Sequence, residues 1–499
     1  RVDVSLRRVR RGHNSAEHNY SATRPTSALT TETMLSLRSL IPLLLVHTGH
    51  GRPSRELLER SIGGCDLGHN GYLVKLIPTL PGAHTSATTS SRLDELEMLI
   101  THALKRNGKG HHWTRGIVRR FDSINCIAAH LDAATLDELL NRADIQSISA
   151  DCRIQLDPNE TPYTADPAPL GRSIQNGATW GIDRTDQRSL PLDNEYNNRG
   201  MTGAGATVYV LDSGVRISHD DFEGRALGGW SAGCMNQSIC SDGWVYQGIL
   251  DDSSCRGNSP GYGTHCASTI GGATYGISKN VTIVSVQVLS CTGSGSWASV
   301  IAGIQWAIDD VANNDRAPAV ISMHFGGSGS NTLDDIINAA FDAGVLSVVP
   351  ALSLSADACN YSPASTPNAI TVGSTTIDDA SSSWSNHGSC VDIHAPGSYV
   401  TAAWSSSDSA THTSSSSSYS TSHVAGVASQ IRAAAPTLTP AEVTEVIICL
   451  SSQDKISNLP ANTANRLLFN GFGSDNEASV CLRPSAPPSP PPPSPPPSP

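Results

Sequence analysis

The chain has little charge, and no excess of the basic kind. Of its 499 residues 16% are charged, with 33 Lys and Arg against 45 Asp and Glu, for a formal net charge of −12. Such a surface cannot neutralise rows of phosphates, and neither helix-turn-helix nor zinc-finger spacing occurs, which argues against nucleic acid as a partner. Long apolar runs are also missing. None reaches the ~20 residues that a bilayer-spanning helix needs. Methionine is absent from the start: the chain opens on Arg1 and the first Met is Met34. Residues 1–33, basic and without apolar periodicity, read as an upstream tail outside any fold, or as sequence that is not translated.

What is present begins at Met34. MLSLRSLIPLLLVHTGHG places one basic residue, Arg38, ahead of a short apolar run ending at Val46, the layout of a secretory signal peptide over 34–51. The alternative is a buried core helix, against which stand Pro42 and the Gly-rich exit. Twelve cysteines fit the oxidising compartment such a signal leads to. Cys234 and Cys240 could close a small loop, though spacing alone does not fix pairing. Asn159, Asn236, Asn280 and Asn360 each open an N-x-S/T triplet.

Residues 71–157 read as a small α+β unit. GYLVKLIP is strand-like; SRLDELEMLITHAL puts Leu93, Leu96, Ile100 and Leu104 on one helical face; RGIVRRFDSINCIAAHL alternates like strands; DAATLDELLNR is a second helix with Asp132 as N-cap. A Pro-rich polar linker occupies 158–178, a natural place for processing. From 179 to 470 short apolar runs (TVYVL, TIVSVQVL, AVISM, VLSVVP, AITVG) alternate with helical stretches (WASVIAGIQWAIDDVA, NTLDDIINAAFDAG, HVAGVASQIRAAA). That pattern predicts an α/β domain with a parallel sheet covered by helices on both faces. Residues 484–499, a Ser/Pro tail, are expected to form an extended polyproline rod rather than a packed element. Its composition is like that of hydroxyproline-rich wall glycoproteins, and a plain spacer is the other reading.

In open α/β sheets reactive groups gather beyond the carboxyl ends of the strands. Asp212 ends TVYVLD there. Taken alone, a strand-end aspartate is a turn or cap residue. The phrases around it say more: WGIDRTDQRSLPLDNEY, VYVLDSGV, SHDDFEGRA, GTHCAS, LSCTGSGS, NYSPAS, NHGSCVDIHAPG, HVAGVAS and NRLLF. In order and spacing these resemble the subtilisin-like serine proteases, most closely the proteinase K and aqualysin branch. The resemblance covers about residues 179–470, and 71–157 is similar to the inhibitory propeptide of those enzymes.

The resemblance implies an Asp-His-Ser triad, in which serine attacks a peptide carbonyl, histidine takes its proton and aspartate orients the imidazole. Asp212 matches the aspartate, and counting back from His423 puts Ser418 at the nucleophile, at a helix start whose amides favour an oxyanion. In so dense a serine run, Ser418 can also be read as one more hydroxyl of a low-complexity loop. Tyr262 stands where the histidine belongs. A phenol of pKa about 10 keeps its proton at neutral pH, so it is expected to donate a hydrogen bond to Asp212 rather than accept one from serine. Ser353 aligns with the asparagine of the oxyanion hole, Ser416 replaces a glycine that aids the turn before the nucleophile, and Tyr419 replaces a methionine.

Three other histidines are candidate bases. His265 and His423 match structural histidines, while His324 replaces a serine beside the specificity pocket and is read as a pocket-filling group or as a substitute base. The cleft is better kept. Gly293, Ser294 and Gly295, with Phe325 and Gly326, match the two edges between which family members hold an extended peptide, and Phe325 is expected to narrow the pocket. The resemblance also implies disulfides Cys359–Cys390 and Cys255–Cys291, a buried Cys266 outside any disulfide, and a Ca²⁺ site from the carbonyls of Pro367 and Ala369 with the Asp392 carboxylate. No organic cofactor is implied. The expected partners are an extended peptide or protein substrate, the chain's own propeptide, and a cell wall reached through the tail. The function expected is that of a secreted serine endopeptidase family member whose catalysis is impaired. The alternative is an active endopeptidase that uses another base or whose sequence is in error at Tyr262 and Ser353.

Overall fold

The computed structural model describes residues 71–78, 86–106, 116–156, 174–232, 261–471 and 481. The 34–51 signal-like run, the 484–499 tail, Asn159, Asn236, Cys234, Cys240 and Cys255 lie outside the described residues. Everything described belongs to the compact unit Pro53–Pro499.

The chain enters as a small module: β1 (Tyr72–Leu76), α1 (Ser86–Arg106), β2 (Ile117–Phe121), β3 (Cys126–Ala129), α2 (Ala133–Leu140) and β4 (Ile145–Ala150), with sheet order β2-β3-β1-β4. Alternation along β1 sorts its two faces. Val74 and Leu76 pack with Leu93, Leu96 and Ile100 of α1, while Leu73 joins Phe121, Cys126 and Ala128 against the core of the larger domain. Asp132 caps α2 as expected, accepting from the Thr135 amide at 2.7 Å. An ion pair between Lys75 and Asp335 and the Arg119 guanidinium 5.2 Å over the Trp230 ring add polar links to the larger domain.

A further strand, β5 (Arg153–Leu156), leaves the module, and a hairpin of β6 (Ile174–Asn176) and β7 (Glu195–Asn197) flanks the short α3 (Trp180–Asp183). The larger domain then runs β8 (Thr207–Asp212), β9 (Ala226–Ser231), α4 (Tyr262–Gly271), β10 (Thr282–Gln287), β11 (Ser294–Ser296), α5 (Trp297–Asn313), β12 (Ala319–Met323), β13 (Phe325–Ser328), α6 (Asn331–Asp342), β14 (Leu346–Pro350), β15 (Tyr361–Ser362), β16 (Ala369–Thr375) and β17 (Ile393–Pro396). After the ribbon of β18 (Val400–Ala403) and β19 (Thr411–Ser414) come α7 (Ser417–Ala434), α8 (Pro440–Leu450), β20 (Ser452–Gln453) and β21 (Arg466–Leu467).

The main sheet has nine strands in the order β20-β21-β17-β16-β14-β12-β8-β10-β9. It is parallel except where β20 adds antiparallel to β21 at the edge. Period-two alternation splits its residues between two cores. Tyr209, Leu211, Ile321 and Met323 face α5 and α6, whereas Val208, Val210, Val320 and Val348 face the side of α4, α7 and α8. Each such side chain, fully buried, contributes about 1.5–3 kcal/mol. Among the described residues the expected disulfide Cys359–Cys390 is formed, and Cys449 of α8 is bonded to Cys481, a pairing that spacing did not suggest. Cys291 is itself disulfide-bonded.

Candidate functional site

The site is built where β8 and β12 lie side by side. Parallel register pairs Leu211 with Met323, so the next residues, Asp212 and His324, emerge level and on the same face. That is the face opposite Leu211 and Met323, the one covered by α4 and α7. Asp212 and His324 are fully buried, and Asp212 Oδ2 lies 3.3 Å from His324 Nδ1. The loop after β8 and the start of α4 approach closely. A Cβ on Gly263 would stand 1.9 Å from the Gly214 carbonyl oxygen, so only glycine allows α4 to begin here.

Tyr262 opens α4 and is 4% exposed, packed with Cys266 one turn on, Val400 and Tyr419. Its ring stacks on Tyr419 with centroids 6.3 Å apart. The hydrogen bond expected from Tyr262 to Asp212 is not formed. Asp212 accepts instead from the Ser213 amide through Oδ1, and its Oδ2 has no hydrogen-bond partner and faces His324. The reason is packing: the phenol ring is held among Tyr419, Val400 and Leu156, while the β8–β12 register brings an imidazole to the carboxylate.

Ser418 lies in the first turn of α7, where its position predicts, and is 1% exposed. Its hydroxyl donates to the His324 backbone carbonyl at 3.1 Å. The helix-start amides are not left open to an oxyanion as expected. The Ser418 N–H donates to Ser416 Oγ at 3.0 Å, and the Ser417 N–H donates to Ser353 Oγ at 3.3 Å. Ser416 has φ −167°, an extended conformation any residue adopts, so replacing glycine there costs the backbone nothing. What it adds is a side-chain acceptor. Just before Ser353, Leu352 has φ +78°, a left-handed conformation that is costly for a non-glycine residue.

The three candidate bases differ sharply. His265 Nε2 lies against the carbonyls of Val400 and His412, and burial lowers its pKa to about 3. His423 Nδ1 lies 2.8 Å from the Tyr419 carbonyl, and burial lowers its pKa to about 4. Both are structural. His324 differs in meeting Asp212 with Nδ1 while Nε2 lies 2.9 Å from Ser322 Oγ and 3.3 Å from Ser422 Oγ. No hydrogen bond joins the Ser418 hydroxyl to that ring; Ser422 and Ser322 are its hydroxyl neighbours, and neither was singled out by the sequence. Asp212, Cys266 and His324 together offer ligand atoms all within 4.8 Å of one another.

The cleft is filled by the chain itself. β5 lies antiparallel between the two predicted edges, in a sheet of order β11-β5-β13-β15. Ser294 pairs with Gln155, Gly295 with Ile154, Phe325 with Leu156 and Gly326 with Gln155, and the Leu156 amide donates to the Gly293 carbonyl at 2.8 Å. Ile154 is 1% exposed within the main core, and Leu156 packs against the cluster around Tyr262. Phe325 is fully buried in the core and lies opposite Leu156 of β5. Pro367 and Ala369 precede and open β16, whose pairing with β17 brings Asp392 beside Thr371, and the Thr371 amide donates to Asp392 Oδ2 at 2.8 Å.

A doubly covered parallel sheet, an aspartate ending one of its interior strands, a serine in the first turn of the helix opposite and a two-edged peptide cleft define the class of subtilisin-like peptidases. Residues 203–473 match the model of the subtilase family, peptidase S8, and the chain belongs to that family. It is similar to an extracellular serine proteinase of Thermus sp., 42% identical over 320 residues covering 64% of this chain and 73% of that one. A cuticle-degrading serine protease of Arthrobotrys oligospora is 36% identical over 364 residues, 72% of this chain and 81% of its own. Among solved structures, a cold adapted subtilisin-like serine proteinase shares 42% identity, matching 59% of this chain and 99% of its own with a TM-score of 0.52.

Proposed function

We propose that this subtilase is a secreted protein whose peptide-bond hydrolysis is impaired, and that its cleft holds extended peptide without turning it over at an enzyme's rate. One observation carries the reading: the Ser418 hydroxyl proton is donated to the His324 carbonyl, while the position of the general base is filled by Tyr262. A serine so held has no group to take its proton as it attacks. Secretion rests on the signal-like 34–51 run and on a relative named an extracellular proteinase. The N-terminal module acts as a propeptide whose last strand, β5, occupies the cleft, and the Ser/Pro tail is a spacer toward a cell wall.

The test is labelling of the full chain with a fluorophosphonate, which reports an activated serine without a guessed substrate. No labelling of folded protein is expected over the time in which an active subtilase is fully modified. Rapid labelling abolished by Ser418→Ala would overturn the reading. It would favour an active endopeptidase with His324 as base, for which the 3.3 Å approach of its Nδ1 to Asp212 is the specific support.

A calcium ion is proposed at Pro367, Ala369 and Asp392. The donors are all oxygen, which suits Ca²⁺, and burial holds the Asp392 carboxyl above the usual carboxylate range, a cost that a dication offsets. Removing Ca²⁺ with EGTA is expected to lower the melting temperature by several degrees, at about 2–4 °C per kcal/mol of lost binding. In Asp392→Asn the chelator should have little further effect.

A further inference from the structure

We propose that Asp212, Cys266 and His324 form a buried site for a Zn²⁺-class ion, built from the triad aspartate position, the histidine read beside the specificity pocket and a buried cysteine. The three sit on different elements, at the end of β8, inside α4 and just past β12, and all are 0% exposed. Their ligand atoms lie within 4.8 Å of one another. Cys266 is buried as a thiol, in no disulfide.

The facing side chains of His324 and Asp212 point to a cation between them. Asp212 Oδ2 and His324 Nδ1 face each other at 3.3 Å, yet neither has a hydrogen-bond partner. His324 Nε2 lies 2.9 Å from Ser322 Oγ and 3.3 Å from Ser422 Oγ, and the Ser422 hydroxyl donates to the Ser418 carbonyl at 3.0 Å, which leaves Ser422 Oγ able to accept from Nε2. In the tautomer with the hydrogen on Nε2, Nδ1 is a lone pair aimed at a carboxylate oxygen, an arrangement of two acceptors that a shared metal ion would join. The spacing agrees: two ligand atoms each about 2.0–2.1 Å from a tetrahedral zinc are separated by roughly 3.3–3.4 Å. A thiolate at about 2.3 Å from the same ion would stand roughly 3.6 Å from each, an adjustment of an ångström or so at most for Cys266.

Charge and ligand softness favour the same ion. One thiolate and one carboxylate neutralise a dication, so the loaded site carries no net charge into a dry interior, as burial requires. Thiolate with imidazole selects zinc over the hard, oxygen-seeking cations. The hydroxyls of Ser322 and Ser422 on Nε2 would hold the ring in its liganding tautomer, as outer partners of metal-bound histidines do. Binding releases the Cys266 proton to solvent.

The full chain should be refolded with and without one equivalent of Co²⁺, because the site is closed once β5 is seated. Expected are one ion per chain, the visible bands of tetrahedral cobalt and a near-ultraviolet thiolate-to-cobalt charge-transfer band, all displaced by Zn²⁺. Cys266→Ser should abolish the charge-transfer band, and His324→Ser should keep that band while weakening affinity by more than about 100-fold, since even outer-shell changes cost 10- to 100-fold. Metal-free circular dichroism checks that each variant folds. A wild-type chain that refolds but gives no charge-transfer band would overturn the site, leaving an Asp212–His324 ion pair. A band that persists in Cys266→Ser would overturn it as well. Neither readout uses activity, so the outcome is independent of whether Ser418 is competent.

Discussion

Tyr262→His alone is expected to leave Ser418 unlabelled by fluorophosphonate, and only its combination with His324→Ser, Ser416→Gly and Ser353→Asn should raise the labelling rate, by at least about 10³-fold. The order of these effects follows from who holds which group. An imidazole returned at position 262 needs Asp212 to orient it, but Asp212 Oδ2 already faces His324 Nδ1 at 3.3 Å. Removing that competitor frees the aspartate. The amide donors need separate release: Ser416 Oγ accepts from the Ser418 N–H, and only loss of its side chain opens that N–H to an oxyanion. Each donor regained should count for about 10²–10³, the size one has in subtilisin itself, and the gains need not multiply because triad members act as a unit. Fast labelling of Tyr262→His by itself would mean that the Asp212–His324 contact is easily displaced, and would remove His324 from the account of the silent site.

Much of this site was legible before any coordinates. The apolar TVYVL run ends on Asp212 because a buried parallel strand delivers its last residue to the sheet's carboxyl edge, and HVAG fixes Ser418 by a count along one helix. Both are local facts. What sequence could not deliver is non-local. His324 meets Asp212 only because β12 and β8 pair with Met323 opposite Leu211, and nothing in either segment states that register. Ser416 looks like a lost glycine in a turn, yet its backbone is extended, and its effect comes from a hydroxyl oxygen placed two residues before the amide it takes up. The strand RIQL carries a weak alternation, Arg153 and Gln155 exposed and Ile154 buried, which marks it as extended. That it sits between residues 294–296 and 325–326 is decided by pairing across more than a hundred residues. The bond predicted from Tyr262 to Asp212 failed for a related reason: residue type suggested the donor, but packing against Tyr419 decided where the ring went.

Seating of β5 should weaken as pH rises from about 4 to about 7, and Asp151→Asn should abolish that dependence. Asp151 lies two residues before β5, is 5% exposed, and accepts from the Ala298 amide at 2.8 Å in the first turn of α5. That amide and the helix end favour its charged form, yet burial outweighs them and pushes its pKa up to about 7. The sign follows from linkage. Seated, Asp151 keeps its proton up to about pH 7; released into water, it loses that proton near pH 4. The seated state therefore binds the extra proton between those values, its advantage is full below about pH 4 and falls as pH rises, and above pH 7 it is constant. A shift of about three units corresponds to as much as roughly 10³-fold in the opening equilibrium. Hydrogen exchange of the β5 amides, corrected for the intrinsic pH dependence of exchange, measures that opening directly, and the Leu156 N–H bonded to Gly293 is the one to follow. In Asp151→Asn, an isostere that still accepts from Ala298, protection should be the same at both ends of the range. Equal pH dependence in the two proteins would move the linkage to another group. Protection that rises with pH in the wild type would contradict the sign, and with it the view that burial, not the α5 amides, governs how this strand is held in the cleft.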